Sequence, residues 1–182
     1  MNEFWHAVAM LRLDRPLGLT KLQGCFAGGK PAEGLVGFHP GRLIATTYGY
    51  GADGPCEAMA RLWMPWRGKH FSRHAAEGVN RFTVGGRRAI RTLFPRYRGF
   101  GDDEQGTSAF RFVTSIAPSV SNPDLTVLRL DYRGVSENPS FPVRRIVDEL
   151  VQIDDGLYLG RALMTWGGRP HRVAWFSLDA VA

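Results

Sequence analysis

The chain has 182 residues, 44% of them hydrophobic and 22% charged, enough for about one domain with a buried core. Its net charge of +6 comes from twenty arginines and three lysines, Lys21, Lys30 and Lys69, a skew that G+C-rich coding would produce. This composition excludes a disordered tail, a collagen-like repeat and a coiled coil. The longest uncharged stretch, Phe112 to Pro123, is broken by Pro118 and too short to span a bilayer.

Phe4, Val8 and Leu11 recur at helical spacing with Trp5 beside them. They predict an N-terminal helix within residues 1–16, ending near Asp14 before Arg15-Pro16. Residues 17–41 hold closely spaced glycines and prolines and read as an irregular entry segment. Arg42 to Tyr50 is rich in β-formers and reads as a strand. Cys56 to Trp63 fits a helical turn or a strand. Arg87 to Arg98 carries five arginines among Phe94, Pro95 and Tyr97, and reads as a solvated strand face and loop.

The second half is more regular. Ala109 to Ile116 alternates around Phe110 and Phe112. Leu125 to Tyr132 sets Leu128, Leu130 and Tyr132 against Val127, Arg129 and Asp131. Leu157 to Thr165 and Arg172 to Leu178 are further β runs. Val143 to Ile153 fits a helical stripe or a strand, and the Asp154-Asp155-Gly156 turn behind it favours a strand. That turn and Gly167-Gly168 are hairpin signals. Many short strands with frequent turns imply a sandwich or a barrel, and a closed barrel leaves no exposed edge. The expected fold is all-β: one antiparallel β-barrel domain over 1–182 with a short N-terminal helix.

Cys25 and Cys56 form no Cys-x-x-Cys pair, so neither a zinc site nor a disulfide framework is expected, and free thiols fit a reducing cytoplasm. The first residues lack a basic start followed by an apolar run, so no signal peptide is expected. No nucleophile elbow or P-loop occurs. Gly49-Tyr50-Gly51-Ala52-Asp53-Gly54 matches a dinucleotide fingerprint in form only, because no βαβ unit follows. No cofactor and no metal are expected. His70 and His74 are four apart, but Gly68, Ser72 and Gly78 argue against the helix that such a pair would need.

Two motifs stand out. The first is Gly24-Cys25-Phe26-Ala27-Gly28, which reads as a sharp entry turn whose ring plugs a barrel end beneath a basic side chain. The second runs Trp63-Met64-Pro65-Trp66-Arg67-Gly68-Lys69-His70-Phe71. Its tryptophans suit a pocket wall, with Lys69 or His70 at the mouth. Together these motifs resemble the uncharacterised bacterial family named for its Gly-x-Trp-x-Gly motif. Gly24, Phe26 and Gly28 take the first position, with Phe in place of Trp. Trp66, Gly68, Lys69 and Phe71 match the Trp-Tyr-Gly-Lys-Arg-Phe-like segment that follows. Asp131-Tyr132, Asn138-Pro139 and Asp148 fall near a Tyr-Asp…Pro…Asp run of the companion domain of unknown function. The resemblance implies a lipocalin-like barrel, a fold that holds small apolar molecules.

The expected function is therefore binding of a small hydrophobic ligand, with or without an anionic group, in a barrel cavity. Candidate lining residues are Phe26, Trp63, Trp66, Lys69, His70, Phe110, Phe112, Asp131, Tyr132 and Arg145. Arg144-Arg145 and Asp148-Glu149 read most simply as a charged outer face, although Arg145 could clamp a carboxylate if it points inward. The alternative is a cofactor-independent isomerase, cyclase or hydrolase in the same cavity, using His70, Asp131 and Tyr132 if they converge. A third reading is electrostatic binding of RNA or anionic lipid through Arg87 to Arg98. No nucleic-acid motif supports it. The expected partner is a small apolar or lipid-like molecule, and the oligomeric state stays open.

Overall fold

The computed structural model describes residues 3–47, 66–104 and 106–180. Trp63, the Cys56 to Trp63 segment and the Gly49 to Gly54 loop lie outside the described residues. Helix α1 spans Glu3–Leu13 and α2 spans Arg15–Ala27. The irregular segment expected from residue 17 is thus helical as far as Ala27. Asp14 is the N-cap of α2 and accepts the Leu17 N–H at 3.0 Å. Pro16 sits in the first turn, where its missing N–H costs nothing. Gly18 acts as a contact residue, not a turn former. A Cβ there would lie 2.6 Å from the Leu11 backbone nitrogen, so glycine is what lets α2 lie against α1.

The remaining elements are β1 (Lys30–Pro31), β2 (Gly37–Thr46), β3 (Trp66–Phe71), β4 (Glu77–Phe82), α3 (Gly86–Leu93), β5 (Gly101–Asp103), β6 (Gly106–Pro118), β7 (Thr126–Asp131), a 3-10 turn (Val143–Arg145), β8 (Ile146–Asp154), β9 (Leu157–Trp166) and β10 (Arg169–Asp179). Strands β2, β3, β4, β6, β7, β8, β9 and β10 pair antiparallel in that order, and β10 pairs back onto β2. This closes an eight-stranded up-and-down barrel, with β1 added to β8 and β5 to β6. The expected all-β barrel is what the chain forms, with a pair of helices at its N-terminus instead of one. The ambiguous 143–153 segment is strand after its 3-10 turn. Both hairpin turns form, with positive φ at Gly156, Gly167 and Gly168. Arg87 to Arg98 contains helix α3, not a strand. Among the described residues no helix is long and apolar enough to cross a membrane.

Side-chain alternation splits the barrel into two faces. Leu128, Leu130, Asp148, Leu150, Gly160 and Phe176 pair with one another across β7 to β10 and point inward. Val127, Glu149, Val151, Leu159, Arg161 and Trp175 occupy the alternate positions, on the outer wall. The helix pair covers that wall, burying Phe4, Ala7, Leu22 and Phe26 against Val127, Val151, Leu159 and Trp175. Strand β8 is consequently buried on both faces from Val147 to Val151.

Three strand glycines serve as sockets for interior rings. A Cβ on Gly160 would lie 2.2 Å from the Phe176 ring, one on Gly41 2.3 Å from Trp66, and one on Gly78 2.5 Å from Phe112. All three rings belong to the mid-barrel cluster described below. Gly160→Ala is expected to lower stability by about 1–3 kcal/mol through overpacking, measured by urea unfolding. An unchanged midpoint would show that Phe176 has room to move.

Candidate functional site

The barrel interior contains a polar cluster assembled from the neighbouring strands β3 and β4, the residue that follows β7, and β8. Lys69 on β3 donates to Asn80 Oδ1 on β4 at 2.8 Å, to the Tyr132 hydroxyl at 2.8 Å and to Asp148 Oδ2 on β8 at 2.7 Å. These three bonds use all three ammonium donors. Tyr132 also donates to Asp148 Oδ2 at 2.8 Å. Asn80 is the hub: its amide nitrogen donates to the Phe110 carbonyl and to the Tyr132 hydroxyl, both at 3.0 Å. Its oxygen also accepts from the Trp66 indole N–H at 3.1 Å. Asn138 fixes the turn that presents Tyr132, donating to the Tyr132 carbonyl at 3.1 Å and to the Arg111 carbonyl at 2.7 Å.

Aromatic rings enclose the ammonium. The Lys69 nitrogen lies 5.1 Å from the Phe112 centroid, 5.2 Å from Phe176, 5.5 Å from Tyr132 and 5.7 Å from Trp66. Lys69 is only 2% exposed. Burial pushes its ammonium below the usual lysine range, while the Asp148 charge and hydrogen bond pull the other way. Burial, with Asp148 beside it, holds the Tyr132 phenol well above its ordinary value. The phenol therefore keeps its proton and acts as a hydrogen-bond donor to Asp148.

One side of this cluster retains accessible apolar surface. Leu43, Trp66, Ile146, Ala162, Met164 and Ala174 pair or pack with inward-facing residues, yet remain only partly buried. Deeper inward positions such as Leu150, Phe112 and Leu178 are fully covered. Ala162 and Ala174, paired across β9 and β10, put two small side chains on this inner wall, and Ala162 is the cross-strand partner of Asp148. The arrangement is an apolar mouth over a polar floor.

The candidates from sequence separate into distinct places. Trp66, Lys69, Phe112 and Tyr132 converge in the interior. Phe110 is buried a short distance away, against Phe82, Phe94 and Tyr97. Phe26 does not plug a barrel end, because α2 carries it to the outer wall against Trp175. The basic side chain over its face is present all the same: the Arg161 guanidinium lies 4.3 Å from its centroid. His70 is exposed on the outer side of β3, the neighbour of inward Lys69. It lines a groove of about 600 Å³ with Arg73, Arg111, Tyr97 and Glu137. Asp131 faces outward and is held by Arg133 at 3.0 Å. Burial raises its carboxyl, but the Arg133 hydrogen bonds and charge outweigh that and hold it low. Arg145 is exposed and stands over Phe141. His70 and Asp131 therefore do not meet the Tyr132 hydroxyl.

Two residues that carry the cluster were undervalued in the sequence. Asp148 and Glu149 do not form a solvated face: both are buried, on opposite sides of β8. Asn80 carried no motif at all. In the Arg87 to Arg98 stretch, Arg87 is paired with Asp102 and stands over Phe100, and Arg98 donates to the Pro95 and Tyr97 carbonyls. Among the described residues no three His, Cys, Asp or Glu side chains are placed to hold a metal.

No protein-family model matches the chain, and no curated protein matches it. The Gly-x-Trp-x-Gly family therefore gains no support beyond the motif residues themselves. The structure is similar to the crystal structure of a protein from Thermomonospora curvata. That match covers 100% of both chains at 13% identity, with a TM-score of 0.52. At that identity the likeness concerns the fold.

Proposed function

We propose that the barrel is a binding module for a small, mainly apolar molecule whose polar end meets the Lys69–Tyr132–Asp148–Asn80 cluster. The observation that carries this reading is the cluster itself, set beneath partly exposed apolar wall. A buried ion pair is a weak source of stability, because each ion loses several kcal/mol, in order of magnitude, of hydration. An apolar core of the same volume would fold at least as well. Retention of four polar groups beneath partly exposed apolar side chains fits ligand recognition, where a few placed polar groups orient an otherwise apolar molecule. The architecture is compatible with a lipocalin-like role, since an eight-stranded barrel is wide enough either to be filled by its own side chains or to hold one small ligand. The enzymatic alternative built on His70 and Asp131 has no shared geometry to support it.

Filling the mouth tests the reading without touching the polar floor. Wild-type protein is expected to enhance anilinonaphthalene sulfonate fluorescence, and decanoate is expected to displace the probe. Ala162→Phe should abolish both effects while keeping a cooperative thermal transition. If the Ala162→Phe protein binds the probe as wild type does, this inner wall is not the binding site.

A further inference from the structure

We propose that Lys69 is a covalent anchor: its amine condenses with a small apolar aldehyde or ketone held in the barrel mouth, forming an imine. This rests on the ligand reading above and names the ligand class. The first support is residue choice. The chain has twenty arginines and three lysines, and the other buried ion pair among the described residues is built with Arg161. A guanidinium serves a permanent ion pair better than an ammonium does, but it stays protonated and offers no nucleophilic lone pair. Lysine therefore stands at the one interior site where an amine could do what arginine cannot.

The second support is geometric. Rings of Trp66, Phe112, Tyr132 and Phe176 exclude water from the nitrogen. Such desolvation favours the neutral, nucleophilic amine, and burial pushes Lys69 in that direction. The third is proton handling. Asp148 Oδ2 lies 2.7 Å from the lysine nitrogen and 2.8 Å from the Tyr132 hydroxyl, which itself touches the nitrogen. Asp148 takes one ammonium proton. The freed lone pair then attacks the carbonyl carbon, and the C=O π electrons move to oxygen, which is protonated through Tyr132. Asp148 takes a second proton from nitrogen and returns it to the new hydroxyl as the nitrogen lone pair forms C=N and the C–O bond breaks, so the oxygen departs as water. The products are one protonated imine, which keeps the third ammonium proton beside Asp148, and one water, and no oxidant or reductant is consumed. The hydrocarbon part of the carbonyl compound would lie along Ala162 and Ala174.

The experiment uses the full chain carrying Lys21→Arg and Lys30→Arg, both exposed positions, so that Lys69 is the sole lysine. Hexanal is added with cyanoborohydride, and the adduct is located by proteolysis and mass spectrometry. The expected result is one hexyl group per chain on Lys69. It should be lost in a Lys69→Arg version and form more slowly in Tyr132→Phe. An unmodified Lys69 in folded protein whose N-terminal amine is alkylated would overturn the inference, as would modification of Lys69 only in urea. Hexanol separates this failure from failure of the binding reading. If hexanol and hexanal both displace anilinonaphthalene sulfonate but no Lys69 adduct forms, binding stands and the covalent step falls. If neither displaces the probe and no adduct forms, both readings fall.

Discussion

Lys69→Met is expected to destabilise the barrel by about 3–5 kcal/mol, because it leaves the Asp148 carboxylate buried without its cation. Methionine matches the lysine stem in length, so little packing is lost and the electrostatic effect is isolated. Asp148 keeps the Tyr132 hydroxyl as a donor, which is too little to replace an ammonium in a water-poor interior. Lys69→Met combined with Asp148→Leu removes both charges, and most of the stability should return. The double variant should nevertheless lose the ligand response. That combination, a stable barrel that no longer binds, distinguishes a recognition cluster from a structural one. Chemical denaturation measures the first quantity and probe displacement the second. A single variant that loses less than about 1 kcal/mol would place the pair among weak surface-type ion pairs and remove the physical basis for a special role.

The barrel was legible in the sequence wherever one face of a strand was solvated or a hairpin turn was explicit. The Asp154-Asp155-Gly156 and Gly167-Gly168 turns announced β8, β9 and β10. The alternation of Leu128, Leu130 and Tyr132 gave the inward face of β7. The reading went wrong where glycine had a packing role. Gly18 resembles a helix breaker until α1 is known to lie against it. Gly41 resembles a turn residue until the Trp66 ring is seen lying on it, whereas Gly78 and Gly160 fit their strands but give no sign of the Phe112 and Phe176 rings they seat. The candidate site was half legible. The Trp66–Lys69 spacing and Tyr132 were visible as motifs, whereas Asp148 entered only through a resemblance and as part of a charged outer face. Adjacent charges such as Asp148-Glu149 normally mark a solvated face, since alternation should send only one of them inward. Here the helix pair covers the outer wall, so the outward one is buried as well. No local pattern carries that information, because it depends on where residues 3–27 dock.

Arg161→Ala is expected to cost a similar amount, about 3–5 kcal/mol, on the opposite face of the wall. Glu149 is fully buried and receives the Arg161 Nε at 2.9 Å, the Ser119 hydroxyl at 3.0 Å and the Val120 N–H at 2.7 Å. The same guanidinium donates to the Ser119 and Ser121 hydroxyls at 2.9 and 2.8 Å and reaches Gln23 of α2 at 3.3 Å. It also covers the Phe26 ring. One side chain thus ties the helix pair, the β6–β7 connection and β8 to β9. Its loss should loosen α2 before the barrel itself opens, visible as faster amide hydrogen exchange over 15–27 than over 146–166. Arg161→Lys should recover only a small part, because three ammonium donors on a point charge cannot reproduce a planar fork that reaches four partners. Ligand response should persist in both variants under conditions where they fold, since Arg161 points away from the interior. The Arg161–Glu149 and Lys69–Asp148 pairs would then be separable by experiment: the first sets whether the helices stay docked, and the second sets whether the barrel mouth recognises a ligand.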